Sequence, residues 1–317
     1  MSLNLLEPTF IEQYVGADGR LTIEGVKLIQ SMVDAIKENQ TLVDTNGAIA
    51  LAEAQILAQY GDIVSVSSRK KALNKFGANI TVGSSLETVA QLQGTTANET
   101  FVTTNLIDGI SSSSALDTTQ TIVIEGNTVD GSGNLTFVVQ DAVLAGQTEV
   151  TLTTPLARAN RMYVKASGTF GTDPAALVGT VYVYDNTDGI SAGAPSTAAA
   201  TKVLILAGGT QSEKCATSIS STDYWLIDYF GAGVGAAGGS AGRVLFRPEI
   251  RDVANGGAWL PLFSEIVVSV DQNGSGVSIF PYLVVPKNHD FRVRGRTNAN
   301  TAEVFAEVSG YLAGVIG

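Results

Sequence analysis

Beyond residue 62 the apolar residues of this chain recur at every second position in short runs, and the runs are separated by glycine, asparagine and aspartate. A period of two is what a pleated strand imposes, because successive side chains leave on opposite faces. Ile63, Val64 and Val66 begin the pattern. Thr121-Ile122-Val123-Ile124-Glu125, Leu135-Thr136-Phe137-Val138-Val139, Val150-Thr151-Leu152-Thr153, Met162-Tyr163-Val164-Lys165 and residues 178–184 continue it, rich in the β-branched and aromatic residues that fit a half-buried sheet. Asp130-Gly131-Ser132-Gly133-Asn134 and Asp185-Asn186-Thr187-Asp188-Gly189 supply residues that tolerate a left-handed backbone and so reverse the chain.

A second set of strand-like runs covers residues 202–206, 224–230, 243–247, 265–270, 277–285, 291–294 and 303–312. Between the sets, residues 190–200 are rich in Gly, Ala, Ser and Thr with Pro195, the composition of a linker. Short strands punctuated this densely predict antiparallel sandwiches or jelly rolls. No solenoid-type repeat is present.

The opening of the chain differs. Val26, Ile29, Val33 and Ile36 fall at spacings of three and four, which predicts an amphipathic helix over residues 21–36 with Thr22 at its start. Ile49, Ala52, Ile56 and Leu57 predict a second helix over 48–59, closed by Gly61. The expected fold is therefore mainly β. A short helical N-terminal docking segment (residues 1–62) precedes two antiparallel β-sandwich or jelly-roll-like units, a first β domain (63–189) and a C-terminal β-sandwich domain (201–317), joined by the linker at 190–200.

Composition narrows the function. Nineteen Lys and Arg against 30 Asp and Glu give a formal charge of -11, which repels phosphate backbones, so nucleic acid is not expected as a partner. The single Cys215 cannot form an internal bridge, and one histidine, His289, leaves most hydrolase and metalloenzyme designs short of parts. Residues 1–10 carry Glu7 and no basic region, and about 18 consecutive apolar residues occur nowhere, so neither a signal peptide nor a membrane span is expected.

Several local patterns imitate chemical motifs. Gly233-Val234-Gly235-Ala236-Ala237-Gly238 matches the dinucleotide fingerprint, but Arg243-Val244-Leu245-Phe246 reads as strand where a helix must receive the pyrophosphate; a hairpin loop is expected instead. Gly238-Gly239-Ser240-Ala241-Gly242 matches a nucleophile elbow, with Asp252 or Asp271 and then His289 in hydrolase order, yet again no helix leaves the turn. His289 sits in Pro286-Lys287-Asn288-His289-Asp290, a turn composition. Asp271-Gln272-Asn273-Gly274 begins like a calcium loop but lacks the acid at the twelfth position, so it reads as a hairpin turn. Sequons at Asn39, Asn79, Asn98, Asn134 and Asn273 read as chance matches. Ser67-Ser68-Arg69-Lys70-Lys71 is a basic cluster that reads as solvated surface, with an acidic partner surface as its functional alternative. No catalytic, cofactor-binding or metal-ligating residue is expected, and no cofactor.

Other phrases carry a likeness. Gly16-Ala17-Asp18-Gly19-Arg20-Leu21-Thr22, Lys75-Phe76-Gly77-Ala78-Asn79 with Glu87-Thr88-Val89, and Ser111-Ser112-Ser113-Ser114-Ala115-Leu116-Asp117-Thr118 leading to Val123-Ile124-Glu125-Gly126 stand in the first half. Phe280-Pro281, Val285-Pro286, Asp290-Phe291-Arg292-Val293-Arg294 and Glu307-Val308-Ser309-Gly310-Tyr311-Leu312 close the chain. Together they resemble a family of tailed-bacteriophage virion structural proteins, in which Ala78 is often Arg and Leu116 often a polar or small residue. The resemblance implies a non-enzymatic component of the virion, made in the host cytoplasm. A capsid decoration or cement protein is the favoured expectation, bound to the major capsid protein or other virion proteins as a homo-oligomer, with a trimer favoured. A tail-associated adaptor, nozzle or fibre-attachment protein is the alternative. A carbohydrate-binding module is a further one, with Trp225 and Trp259 as the rings to watch.

Overall fold

The structure is a computed structural model that describes residues 69–94, 99–165, 177–187, 189–237, 243–254, 256–263, 265–269, 275–298 and 301–314. Contacts divide the chain into two units, Met1–Ser68 with Phe280–Tyr282, and Arg69–Ile279 with Leu283–Gly317; apart from residues 280–282, the described residues belong to the second. The predicted helices at 21–36 and 48–59 and the start of the β pattern at Ile63 lie outside the described residues.

In chain order the strands are β1 (Arg69–Ala72), β2 (Lys75–Val82), β3 (Glu87–Thr88), β4 (Ile107–Ser112), β5 (Thr121–Val129), β6 (Leu135–Val143), β7 (Val150–Leu156), β8 (Arg158–Val164), β9 (Val181–Asp185), β10 (Ile190–Ser191), β11 (Ala194–Pro195), β12 (Thr201–Ile205), β13 (Ala216–Ser218), β14 (Asp223–Ala237), β15 (Arg243–Asp252), β16 (Leu260–Pro261), β17 (Ile266–Ser269), β18 (Ser275–Val285), β19 (His289–Thr297) and β20 (Ala302–Gly314). The fold is mainly β, and the strand pairs are antiparallel. Among the described residues no helix is long and apolar enough to cross a membrane.

Two apolar cores organise these strands. The first lies between the sheet β12-β9-β4-β7 and the sheet β6-β5-β8, and is filled by Ile110, Ile122, Ile124, Met162, Val183 and Val203. Along one seam the Gln140 side chain of β6 replaces a ladder rung: its Nε2 donates to Thr154 O of β7 at 2.8 Å, and its Oε1 accepts from Thr154 N at 2.9 Å. The second core lies between the sheet containing β1, β2, β20, β14 and β18 and the sheet containing β3, β13, β19, β15, β16 and β17. Trp225 of β14 meets Phe291 of β19 edge-on across it, ring centroids 4.9 Å apart. A bulge between Ile227 and Tyr229 changes which side chains of β14 point inward, so Trp225 and Ile227 are followed in the core by Phe230, Ala232 and Val234.

Residues 190–200, read from composition as a linker, form the β10–β11 hairpin and a short 3-10 turn at Ala198–Ala200. Gly193 (φ +73°) lies so close to β4 that a Cβ there would stand 1.9 Å from Ser112 O. Beyond them β12 pairs with β9, so the first core extends through Ile205. The serine-rich phrase is also more deeply placed than its composition suggests. Ser111 and Ser112 end β4, a central strand, fully buried, because Ser111 Oγ donates to Gly193 O at 2.9 Å and Ser112 Oγ donates to Asp117 Oδ2 at 2.6 Å.

Candidate functional site

Strand β2 is folded against its own sequence pattern. In Lys75-Phe76-Gly77-Ala78-Asn79-Ile80 the apolar residues alternate with polar ones, and burying Phe76, Ala78 and Ile80 would be the ordinary outcome. The opposite face is buried. Lys75 is 4% exposed and Asn79 equally hidden, while Phe76 is 42% and Ile80 62% exposed. Gly77 dictates this choice: a Cβ at that position would stand 2.1 Å from Val89 O and 2.3 Å from Cys215 N, so backbone from two other segments occupies the space. Asn79 fits the interior by donating from Nδ2 to Thr88 O at 3.2 Å, and its Oδ1 accepts from Thr81 N at 3.0 Å.

Lys75 reaches from β2 towards the other core and donates from Nζ to Asn160 O of β8 at 2.6 Å. Burial, with the nearby charge of Lys214 next, draws its pKa down to about 7; Cys215 and Glu125 pull the other way and Arg161 adds to the lowering. Lys214 is satisfied separately. Its Nζ donates to Glu99 Oε1 at 2.7 Å, Ala159 O at 2.8 Å and Lys202 O at 2.9 Å.

Above these groups lies a cleft of about 510 Å³, between β1, β2 and β20 on one side and β5, β6 and β8 on the other, with β13 at its floor. Phe76 and Phe137 line it together with Asn160, Arg161, Gln211 and Glu307 among others. Its charges are largely answered. Lys71 Nζ stands 3.9 Å from Glu125, Arg161 Nη2 donates to Gln211 Oε1 at 3.1 Å, and Asp223 accepts from Ser220 Oγ at 2.6 Å. The predicted basic cluster is only partly described: Arg69 and Lys70 belong to β1, and Lys71 borders the cleft.

A second polar centre joins the two cores. Arg158 of β8 is held on Asp290 of β19, and Arg251 of β15 donates from Nη2 to Asp290 Oδ2 at 2.6 Å. Ser218 Oγ donates to Asp290 Oδ1 at 2.6 Å. One step along, Glu249 accepts from Arg247 Nε at 2.8 Å, Arg292 Nε at 2.9 Å and Arg294 Nη2 at 2.7 Å. Burial pushes the Glu249 carboxyl up, but the hydrogen bond from Arg294 and the charges of Arg292 and Arg294 outweigh it and hold it below its ordinary value. Trp259 caps this ladder, with the Arg292 guanidinium 3.8 Å from its ring centroid and that of Arg251 4.9 Å.

The imitated motifs dissolve into this framework. Gly233 and Gly235 lie inside β14 and not in a hairpin loop; Gly233 faces Phe305 across the ladder, and the Phe305 ring occupies the place its Cβ would take. Gly238, Ser240, Asp271 and Asn273 lie outside the described residues, as do Asn39 and Asn98. His289 opens β19 and donates from Nδ1 to Lys287 O at 2.9 Å, while Asp252 ends β15. Asn79 is buried, and Asn134 donates to Asp130 Oδ2 at 3.0 Å in the turn after β5. Cys215 is buried, and burial pushes its thiol up to about 12. Trp225 is core, which removes it as a sugar platform; Trp259 is partly buried among arginines. Among the described residues no group of three or more His, Cys, Asp or Glu could hold a metal ion.

The cleft residues Lys75, Phe76, Phe137 and Asn160 were not singled out as a site by the sequence. The available signal was Lys75-Phe76-Gly77, a lysine next to a glycine on the same face as an asparagine. That pattern becomes informative only once the buried face is known.

No protein-family model matches the chain, and no curated protein matches it. Among solved structures it is similar to the infectious bursal disease virus Gt strain structure at 9% identity, covering 77% of this chain and 72% of that chain with a TM-score of 0.18. The Gx strain structure gives 7% identity, 78% of each chain and the same TM-score of 0.18. The crystal structure of the infectious bursal disease virus VP2 subviral particle gives 9%, 82% and 86%, and 0.12. TM-scores this low carry no argument about this chain.

Proposed function

We propose that this chain is a non-enzymatic structural protein of a bacteriophage virion, a capsid decoration or cement protein that binds the assembled shell through complementary surface. The observation that carries the reading is apolar surface on outer strands. Ile80 stands outward on β2, and Val139 and Val143, 53% and 54% exposed, stand outward on β6, the outer strand of its three-stranded sheet. On β6 the outward series Phe137, Val139, Asp141 and Val143 is apolar except for Asp141, which pairs with Lys165, and a largely apolar outer strand of this kind is what a partner surface would cover. The resemblance to virion structural proteins supplies the class of partner. A ligand that binds only the assembled state stabilises it by mass action and needs no reactive group.

The buried ionic ladder fits the same role. Arg158 ties β8 of one core to Asp290 of the other, and Arg251, the cross-strand neighbour of Asp290, holds the same carboxylate, which suits a body that must keep its shape against a shell. Head and tail positions differ in stoichiometry. Quantitative mass spectrometry of purified particles should count hundreds of copies, on the order of the shell's own symmetry, for decoration; about six to eighteen would instead mark a tail ring.

A further inference from the structure

We infer that the cleft between Phe76 and Phe137 is a binding site for a neutral oligosaccharide. The inference is independent of the virion reading and names a different ligand. Its first support is size: about 510 Å³ falls within the range of small-ligand sites, and the cleft lies where two cores meet, a common position for such sites.

The lining gives the chemistry. A pyranose has flat faces of C–H groups and a rim of hydroxyls, so a site for it pairs aromatic rings with planar hydrogen-bonding side chains. Phe76 of β2 and Phe137 of β6 both border the cleft, and both are more than two-fifths exposed, which neither strand requires for its own packing. The same lining carries Gln211, Arg161 and Glu307, hydrogen-bonding side chains of fixed plane, whereas the Asn160 amide is spent internally, its Nδ2 donating to Asn127 Oδ1 at 2.7 Å and its Oδ1 accepting from Ser218 N at 3.0 Å. Phe76 is outward only because Gly77 is pinned against Val89 and Cys215, so the fold holds this ring exposed.

Charge excludes the main competitors. Lys71 faces Glu125 and Lys214 is paired with Glu99, while the Arg161 guanidinium donates to Gln211; with Asp223 and Glu307 also in the lining, charges of both signs border the cleft. A polyanion would meet Glu125, Asp223 and Glu307, and a cation would meet Lys71 and Arg161. Lys75, with one hydrogen bond to Asn160 O, has donor capacity left at the base of the cleft. A neutral, hydroxyl-rich ligand satisfies both signs.

The test is saturation-transfer NMR and calorimetry on the full chain with maltotriose, cellotriose, chitotriose and mannotriose, and with inorganic phosphate and a sulfated hexasaccharide as charged probes. At least one neutral trisaccharide should bind. Phe76→Ala and Phe137→Ala should each weaken it tenfold or more, and Phe137→Leu, which keeps apolar bulk without a flat ring, should do the same. Leu116→Ala, an exposed control elsewhere, should leave it within twofold. Binding of the charged probes alone, no binding of any neutral trisaccharide, or affinity unchanged in the phenylalanine variants overturns the inference. Particle association is a separate readout, so either proposal can fail while the other stands.

Discussion

Arg158 and Asp290 form a bidentate ion pair, Nε to Oδ1 at 2.8 Å and Nη2 to Oδ2 at 3.1 Å, with both side chains almost wholly removed from water. The two residues are 132 positions apart and lie on strands of different β cores. The Arg158 guanidinium also donates to Val102 O and Ala157 O, and lies 5.2 Å from the Phe101 ring centroid. A charge buried this deeply is tolerated because every side of it is answered.

Removing one partner should therefore be costly. Asp290→Ala leaves Arg158 and Arg251 without their shared carboxylate, and the expected loss is about 3–5 kcal/mol of unfolding free energy. Urea denaturation followed by circular dichroism reads it. The double variant Arg158→Met, Asp290→Leu should recover part of the loss, because matched apolar groups leave no buried charge from that pair.

Lys75 gives the stability a pH signature. Its folded pKa is about 7 against an ordinary 10.5, so between those values the unfolded chain binds the extra proton and the folded chain does not. Stability should rise with pH across that window, by at most about 1.4 kcal/mol per unit, and this contribution should level off below pH 7. The groups facing the ammonium are Lys214, Cys215, Glu125 and Arg161. In Lys75→Met this part of the slope should vanish, as measured by denaturation at pH 7, 8 and 9; an equal slope in both proteins would refute the assignment.

Gly77 should not accept a side chain. Gly77→Ala drives a methyl into Val89 O and the Cys215 backbone, and a loss of several kcal/mol or failure to fold is expected on the order of other overpacked cores. Gly131→Ala is the control. Its Cβ would meet nothing within 4 Å, so its melting temperature should match the parent within a few degrees, about what an open surface site allows.

The thiol offers a probe of integrity. Cys215 is buried and its pKa is pushed up to about 12, so a disulfide reagent at pH 8 should label it only as fast as the protein opens. Rapid labelling of the folded chain would contradict its placement.

Much of the β framework was legible in the sequence. The runs at Thr121, Leu135 and Val150 became β5, β6 and β7, and Tyr224 to Phe230 became part of β14, since period two survives wherever one face meets a core. Strand β4 was hidden because its glycine and serines have low strand preference; they are buried under Tyr184, whose ring fills the space beside Gly109. The site was illegible for a related reason. Alternation in β2 shows two faces but not which one the backbone of Val89 and Cys215 will crowd, and that contact lies outside any local window. Likewise Arg158 and Asp290 are 132 residues apart, and no spacing rule joins them.

The outward residues of β2 and β6 separate docking from folding. Ile80→Asp and Val139→Asp should change stability by no more than about 0.5 kcal/mol, as surface sites do, while removing association with particles in a sedimentation assay.

Whether this chain works as a structural part of a virion is decided by cryo-electron microscopy of purified particles from cells that encode it. Density matching the two β cores should stand on the particle, with Ile80 and Val139 turned towards a neighbouring virion protein. Intact, infectious particles that lack the chain altogether would show that its work lies elsewhere.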